Sequence, residues 1–347
     1  MARAVVRPAW PLRRLLFALL AAIWVAIGVT TAATDQAGPA ANATDEPITP
    51  VPAVTGIAPE KIRLGEELFR DRRLSHGDAV ACDSCHLLEK GGEDGQAHSK
   101  GLDGRPLDFN TPTIFNTALE FRLNWRGNFQ SLQAQNASAL LDPRIMNTSW
   151  QELIEKLRGD PSYRSAFAAV YGGDIDPQRL LDALTSFERS LLTPDARFDR
   201  YLRGEQAAIT RDEEEGYRLF KSYGCIACHQ GVAVGGNLFQ RFGVFENPFA
   251  RRPRITQADL GRFTITGLES DRYVFRVPSL RNVALTAPYF HDGSAPSLEE
   301  AVAIMARVQL GRTIDDHDIE LIVKFLQTLT GQYQGGPLER GAERAGP

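Results

Sequence analysis

Four cysteines and two histidines carry the most specific chemical signal in the sequence. They form two copies of the pattern C-x-x-C-H, at Cys82, Cys85 and His86 and again at Cys225, Cys228 and His229. At this spacing two thiols can add to the vinyl groups of a haem while the adjacent histidine ligates the iron. The two copies use every cysteine of the chain. We therefore predict two covalently attached c-type haems, with the two histidines as iron ligands.

Two other uses of paired cysteines have to be weighed against haem. The two C-x-x-C units could share one zinc ion, or each could act as a thioredoxin-like redox pair. A zinc site would leave both trailing histidines without a purpose. A thioredoxin-like pair would require a βαβ pattern, which the sequence lacks. Both alternatives explain less of the pattern than haem does.

The first 33 residues have the layout of a secretory signal peptide. Four arginines precede an apolar run over residues 15–29, and the small residues Thr31-Ala32-Ala33 follow it. We predict cleavage near Ala33 and a mature protein in the periplasm, where bacteria attach c-type haem. The run is also long enough for an uncleaved membrane anchor, which is the alternative.

The length and the charge of the chain limit the number of domains and the kinds of partner. At 347 residues, of which 43% are apolar and 24% charged, the chain has room for two domains and a sizeable core. Removal of residues 1–33 takes away four arginines and no acidic residue, which moves the formal net charge from −4 to −8. This charge argues against nucleic acid as a partner and is compatible with a basic electron-donor protein.

The order of the elements predicts a mainly α fold with two tandem cytochrome-c-like haem domains and long loops. Gly-x-x-Leu-Phe precedes each C-x-x-C-H motif, beginning at Gly65 and at Gly216. We place the N-terminal domain at 56–205 and the C-terminal domain at 206–333. Residues 34–55 are predicted to be a flexible linker and residues 334–347 a disordered tail.

Helix signals are clear between and after the motifs. Ser149, Thr210 and Ser297 are each followed three residues later by Glu, which is typical of a helix start. Asp176-Pro177 opens a helix with an apolar stripe at Leu180, Leu184, Phe187 and Leu191. A last helix presents Ile319, Ile322, Leu326 and Leu329.

The residue opposite each proximal histidine decides what each haem can do. A sixth protein ligand makes a haem an electron carrier, whereas an open face can bind peroxide or oxygen. Met305 is the one methionine downstream of the second motif. It is either the sixth ligand of that haem or a core residue on the same stripe as Leu298 and Val302.

These motifs resemble the bacterial di-haem cytochrome c peroxidase family, which includes the MauG-type maturation enzymes. The resemblance covers about residues 57–331. Besides the haem motifs it rests on the segments Asn110-Thr-Pro-Thr, Arg197-Phe-Asp-Arg-Tyr201, Val277–Gly293 and Met305–Gly311 and on Trp125 followed by Gln135.

The resemblance implies roles for several residues. The N-terminal haem would be the peroxidatic one, and the C-terminal haem would have His229 and Met305 as ligands. Trp125 would lie between the haems as a relay for electrons. The family also holds a calcium ion between the haems, which here would be bound by Asn110 and by the backbone carbonyls near Thr286 and Pro288; an all-oxygen shell of this kind suits calcium.

Two departures from the family pattern concern the peroxidatic haem. Gln135 matches the first distal residue, but the glutamate expected ten residues later is Ile145, which cannot transfer a proton. The histidine expected eight residues before Asn110 is Leu102, and the nearest histidine is His98. His98 is an exposed loop residue, a shifted sixth ligand or a replacement distal base.

We therefore predict a periplasmic oxidoreductase that reduces hydrogen peroxide to water with electrons from a small cytochrome c or a cupredoxin. One alternative is a MauG-like enzyme that oxidises a protein partner through a high-valent di-haem state. The other is a di-haem electron-transfer protein without catalysis. The remaining candidate partner is a second copy of the chain, as a homodimer.

Overall fold

The computed structural model describes residues 46–250 and 252–339, and over these ranges the protein is mainly helical with two small antiparallel sheets. The helices are α1 (Pro59–Phe69), α2 (Leu132–Leu141), α3 (Trp150–Gly159), α4 (Pro161–Tyr171), α5 (Pro177–Ser190), α6 (Arg197–Leu202), α7 (Arg211–Tyr223), α8 (Phe263–Thr266), α9 (Leu298–Leu310) and α10 (Asp316–Gln327). Strand β1 (Phe239–Arg241) pairs with β2 (Val274–Arg276), and β3 (Gln332–Tyr333) pairs with β4 (Gly336–Pro337). The predicted helical class is confirmed; the tandem cytochrome-c-like organisation stays a prediction.

The predicted helix starts lie where the capping residues indicate. Ser149, Asp176, Thr210 and Ser297 each accept a hydrogen bond from a backbone N–H in the first helical turn. Thr210 forms the full capping box, because the Glu213 carboxylate also accepts from the Thr210 N–H. These local bonds satisfy backbone groups that a helix end would otherwise leave without partners.

Two helix pairs form the centres of two hydrophobic clusters. Helix α1 packs across α5 in the first cluster, and α7 packs across α10 in the second. A glycine lies at each crossing: a Cβ on Gly65 would be 2.1 Å from the carbonyl oxygen of Ala183, and one on Gly216 would be 1.9 Å from that of Leu321. The glycine of each Gly-x-x-Leu-Phe repeat is therefore required for close helix contact.

Both ends of the described chain contain buried apolar residues that the sequence analysis did not identify. The predicted linker begins its packing early, since Ile48 is 1% exposed and Val51 is 3% exposed. At the other end, β4 lies in the predicted disordered tail, and Leu338 belongs to the first hydrophobic cluster. Isolated apolar residues in a polar, proline-rich or glycine-rich segment show no helix or strand periodicity. Each of them still removes apolar surface from water when it packs into the protein interior. The flexible linker at 34–55 and the disordered tail at 334–347 stay predictions.

The segment predicted to be a signal peptide lies outside the described residues, as do the first residues of the predicted linker and residues 340–347. Within residues 46–250 and 252–339, no helix has both the length and the apolar character needed to span a bilayer. The domain limits at 56–205 and 206–333 stay a prediction.

Candidate haem-binding sites

Each C-x-x-C-H motif folds as a single helical turn. Residues Cys82–Ser84 and Cys225–Ala227 form 3-10 turns, and the N–H of His86 and that of His229 each donate to the first cysteine's carbonyl at 3.0 Å. One turn brings the two cysteines of a motif to the same side of the backbone, with the histidine directly after them. We call the surroundings of His86 the first site and those of His229 the second site.

Both histidines are held with the same ring orientation. Nδ1 of His86 lies 3.1 Å from the carbonyl oxygen of Gly92, and Nδ1 of His229 lies 3.3 Å from that of Val234. A carbonyl oxygen can only accept, so Nδ1 must carry the proton, and the lone pair of Nε2 is left free for a metal. Burial lowers the pKa of both rings, that of His229 to about 4, which keeps them neutral and able to ligate iron.

The four cysteines are partly buried thiols in two separate places. Burial raises the pKa of Cys82, and it raises the pKa of Cys225 to about 11. Thiols of this kind are poor thiolate nucleophiles in the absence of a cofactor. Among the described residues, the cluster of three potential metal-ligand side chains is Asp259, His291 and Asp292, and it contains no cysteine. A zinc ion shared by the two motifs therefore has no support.

A cavity of about 380 Å³ opens at the second site. Its wall contains Cys225, Cys228 and His229, and on α9 it contains Met305, which the sequence left as either ligand or core residue. The remainder of the lining is largely apolar, as a macrocycle requires. The residues fit a haem: two attachment thiols, a neutral imidazole and a thioether share one cavity.

The residues proposed for calcium and for electron relay line the same cavity. Asn110, Thr286 and Pro288 all contribute to its wall. The Trp125 indole donates from Nε1 to the carbonyl oxygen of Asn110 at 2.8 Å, and its ring lies edge-on to His291, with 6.5 Å between ring centroids. Residues that lie far apart in the sequence therefore meet in the wall of one cavity, at the second site.

The repeat extends much further than the sequence analysis found. Asn116 and Asn282 both have positive φ, and each begins a 3-10 turn. Their N–H groups donate to Leu191 and to Leu329, at the ends of α5 and α10. The isolated bridges Leu123↔Phe129 and Tyr289↔Ala295 follow at equal spacing, and the caps Ser131 and Ser297 then start α2 and α9. Residues 110–139 thus correspond to residues 276–305.

A sequence signal for this longer repeat exists. Both segments read Pro-x-x-x-Asn-x-Ala-Leu, at 112–119 and at 278–285. The pattern has only four shared letters, and its apolar positions do not follow a helix or strand period, so it does not stand out without the structure. The positive φ of the asparagines gives the physical reason, because asparagine tolerates the left-handed conformation better than most residues.

The repeat makes the distal sides of the two sites directly comparable. Met305 is eight residues after Ser297, and the residue eight after Ser131 is Ala139. Alanine has no atom that could ligate a metal. The first site therefore lacks a counterpart of the Met305 thioether on α2.

The other predicted residues of the first site have unsatisfied polar atoms. Within the described chain, Oε1 of Gln135 and Nδ1 of His98 are buried without a hydrogen-bond partner. Such atoms are uncommon in proteins, and a bound molecule would satisfy them. Ile145 is partly buried and packs against the first hydrophobic cluster. His98 lies in an irregular segment and is partly buried, and its role stays a prediction.

Sequence reasoning missed two buried ionic groups beside the cavity. Asp259 accepts from His291 Nε2 at 2.9 Å and pairs with Arg252 at 2.7 Å. Its pKa is about 2: burial alone would raise it, but the His291 and Thr256 hydrogen bonds and the Arg252 charge lower it. The cation already present makes this cluster an ion-pair network rather than an open metal site. A buried pair of Arg276 and Glu120, 2.7 Å apart, lies in the same wall.

Known proteins resemble this chain over most of its length. Residues 59–207 match the sequence profile of the di-haem cytochrome c peroxidases. The chain is 42% identical to cytochrome c551 peroxidase of Nitrosomonas europaea over 83% of this chain and 85% of that protein. It is 34% identical to the methylamine utilization protein MauG of Methylorubrum extorquens over 72% of this chain and 69% of that protein.

The fold has a solved counterpart as well. The crystal structure of a MauG-like protein associated with microbial copper homeostasis matches with a TM-score of 0.71 at 30% identity, over 82% of this chain and 93% of that one. The peroxidase relatives agree with the sequence-based expectation of a peroxidase oxidoreductase with two haem cofactors. On these similarities and on the geometry of the two sites, the chain belongs to the di-haem cytochrome c peroxidase family.

Proposed function

We propose that the protein reduces hydrogen peroxide to water at the first site, with electrons that enter at the second site from a small cytochrome c or cupredoxin. The observation that carries this assignment is the difference between Met305 and Ala139 at matching positions of α9 and α2. A thioether on the second site favours electron storage, and its absence on the first leaves room for peroxide. Haem supplies an iron centre that exchanges single electrons and can accept peroxide on an open face.

The protein's own residues prepare both sites for that group. Cys82 and Cys85, and Cys225 and Cys228, would each form thioether bonds, and the carbonyls of Gly92 and Val234 hold the two histidine rings in the ligating tautomer. Haem attachment by all four cysteines is part of the proposal. Its check is an intact mass that exceeds the polypeptide mass by two haems.

Trp125 is proposed as the relay between the sites. Its Nε1–H is fixed by the carbonyl of Asn110, and its own carbonyl accepts the N–H of Arg276 at 2.9 Å, so both ends of the residue are held. A fixed indole keeps a constant distance to its neighbours, which electron transfer requires. Asn110, with the carbonyls of Thr286 and Pro288, is the proposed calcium shell next to it. Removal of calcium by a chelator should then slow transfer between the haems.

Gln135 and His98 are the proposed polar contacts for peroxide. Both present a buried atom without a partner, an amide oxygen and a ring nitrogen, and peroxide can donate to each. His98→Ala should weaken peroxide reaction if the ring reaches the first site. A wild-type rate in that variant would leave His98 outside the site.

The donor and the location are proposed on charge and on the leader sequence. The mature chain carries a formal net charge of about −8, which favours encounter with a basic donor protein. The signal-peptide layout of residues 1–33 favours the periplasm.

The second candidate function is oxidation of a protein partner by a MauG-like mechanism. The favouring observations are the apolar Ile145 and the similarity to MauG and to a MauG-like structure. A turnover assay with reduced cytochrome c and hydrogen peroxide separates the two candidates, because a MauG-like enzyme should consume peroxide without oxidising that donor efficiently.

Ala139→Met tests where peroxide binds. The new thioether would lie at the position that Met305 occupies in the second site, so it should block the first site and abolish peroxide turnover. Ala137→Met on the same helix is the matched control and should keep turnover. Wild-type turnover in Ala139→Met would contradict the assignment of peroxide chemistry to the first site.

A further inference from the structure

Glu188 is a buried carboxyl group without a cationic partner. It lies on α5, the residue is 6% exposed, and Asn136 on α2 donates from Nδ2 to its Oε2 at 2.7 Å. Within the described residues, no arginine, lysine or histidine pairs with it. Lone carboxyl groups are rarely buried in this way unless they have a task.

The repeat places Glu188 in the wall of the first site. Two equivalent contacts show which residues of α5 and α10 correspond. Gly65 packs on Ala183 and Phe187, and Gly216 packs on Leu321 and Phe325. In that register Glu188 corresponds to Leu326, and Asn136 on α2 corresponds to Val302 on α9. Both counterparts line the cavity of the second site.

An independent observation agrees with this placement. Cys82, the first cysteine of the first motif, packs against the hydrophobic cluster that contains Leu184 and Phe187 of α5. In its ionised form Glu188 contributes to the raised pKa of this cysteine, which agrees with a position nearby. The same wall is thus polar in the first site, with Asn136 and Glu188, and apolar in the second, with Val302 and Leu326. Electron storage needs no proton, whereas peroxide reduction does.

We propose that Glu188 supplies a proton for peroxide reduction at the first site, and that Asn136 holds its carboxyl group in place. This inference rests on the proposed function. The apolar Ile145 cannot supply a proton, and Glu188 would provide the acid that the first site otherwise lacks. Glu188 supplies the proton but is not placed in contact with the reacting atoms.

The reaction has a place for such a group. One hydrogen peroxide takes two electrons from the reduced donor protein and two protons; its O–O bond breaks, two O–H bonds form, and two waters leave. Glu188 would give one of those protons and regain it from solvent in each turnover. Burial raises the pKa of Glu188 to about 8, and the Asn136 amide lowers it only in part, so the carboxyl carries a proton at neutral pH.

The groups that face Glu188 do not titrate in its place. Of the helices that pack on α5, α2 contributes the Asn136 amide, and the buried side chains of α1 are the apolar Leu64, Leu68 and Phe69. The 3-10 turn Thr117–Leu119 that packs on α5 has no ionisable side chain. The Cys82 thiol is consumed when a thioether forms. In the described chain only burial and Asn136 act on the carboxyl's pKa.

The first experiment follows the midpoint potential of the first haem in the holoprotein from pH 6 to 10, by spectroelectrochemistry. We expect the wild-type potential to fall as pH rises through about 8, because reduction then requires proton uptake by Glu188. Glu188→Gln keeps the size and the hydrogen bond to Asn136 but cannot titrate, so its potential should be independent of pH near 8. Asp182→Asn, also on α5, is the matched control and should behave as wild type. An unchanged pH dependence in Glu188→Gln would overturn the proposal.

The second experiment measures peroxide turnover against pH in the same proteins. Loss of the proton-supplying carboxyl group should slow Glu188→Gln by about 10²-fold or more, and Glu188→Asp, which keeps a carboxyl group, should recover part of the rate. A uniform decrease with an unchanged pH profile in Glu188→Gln would indicate a structural role and count against the proposal. Absence of turnover in the wild type would refute the proposed function, whereas the potential titration would still decide whether Glu188 exchanges a proton at the first site.

Discussion

At the scale of single residues, the two sites share their proximal side and differ on the opposite side. His86 and His229 have the same tautomer because each donates from Nδ1 to a backbone carbonyl. Met305 and Ala139 then occupy matching positions after their helix caps. A change at one of these two positions should alter one site and leave the other unaffected.

Met305→Leu is the direct test on the second site. Loss of the thioether should lower the midpoint potential of the second haem, because the sulfur ligand favours the ferrous state. Leucine retains volume and apolar character, so the free energy of unfolding should fall by less than about 1.5 kcal/mol. Redox titration with optical detection measures the first effect and urea unfolding the second. Met146→Leu in the first cluster is the control, and an unchanged potential in Met305→Leu would return Met305 to a core role.

The buried acid of the first site should also make stability depend on pH. The pKa of Glu188 is raised by burial from 4.5 to about 8 in the folded protein. Its contribution is therefore fully present below about pH 4.5 and is lost as pH rises through 8, on the order of a few kcal/mol in all. At pH 5 the free energy of unfolding of Glu188→Gln should be no higher than that of the wild type. As the pH rises towards 9, the variant should become more stable relative to the wild type. Urea unfolding at several pH values measures this, and a constant difference would argue against a buried protonated carboxyl group.

At the scale of elements, each half depends on one close crossing of helices. Phe69 lies 5.2 Å from Phe187 between ring centroids in the first crossing, and Phe220 lies 5.2 Å from Phe325 in the second. The glycines at these crossings let the backbones approach, and the aromatic pairs fill the space beside them. The motif cysteines follow shortly after the first helix of each pair, so the crossings set where the haem ligands lie.

Gly65→Ala and Gly216→Ala should each disturb one crossing. The added methyl group would overlap a carbonyl oxygen, so the free energy of unfolding should fall by about 1–3 kcal/mol or more. Gly159→Ala, at the end of α3, has no atom within 4 Å of the added Cβ, and it should be neutral or slightly stabilising. Thermal unfolding of the three holoproteins gives the comparison. Equal stability of Gly216→Ala and Gly159→Ala would show that the helices can separate at no cost.

At the scale of the whole molecule, one buried ion pair connects distant parts of the described chain. Arg281 and Asp199 are both fully buried and 2.7 Å apart. The guanidinium also donates to the carbonyl oxygens of Thr49 and Val232, at 2.8 Å each. The pair therefore fixes the N-terminal segment, α6 and the loop after the second motif around one point.

Arg281→Met should be strongly destabilising, because it leaves the Asp199 carboxylate buried without a partner; a loss of about 3–5 kcal/mol is expected. Arg203→Met breaks an exposed pair with Asp195 and should cost at most about 1 kcal/mol. Urea unfolding compares them. The double variant Arg281→Met, Asp199→Leu should regain stability relative to Arg281→Met alone. Similar losses for the buried and the exposed pair would refute the central role of Arg281.

The sequence by itself determined the features that are local. Two C-x-x-C-H turns, the helix caps at Ser149, Thr210 and Ser297 and the family resemblance all depend on residues a few positions apart, and the structure has each helix start at its predicted place. Met305 was a candidate ligand for a similar reason, since its residue type, its position after the second motif and the Gln309-Leu-Gly311 that follows it are all visible in the chain.

The tertiary structure decided which polar residues are buried and with what partner. Glu188 follows Leu180 and Leu184 at four-residue spacing, so it lies on the edge of the apolar stripe of α5, but a helix pattern alone predicts an exposed carboxylate there. Its partner Asn136 is 52 residues away on another helix. Such a pair forms only when two elements pack, because the cost of burying a polar group depends on what faces it rather than on its neighbours in sequence. For the same reason the burial of Arg281 could not be predicted from the sequence, because its ion pair and its carbonyl contacts come from three separate segments.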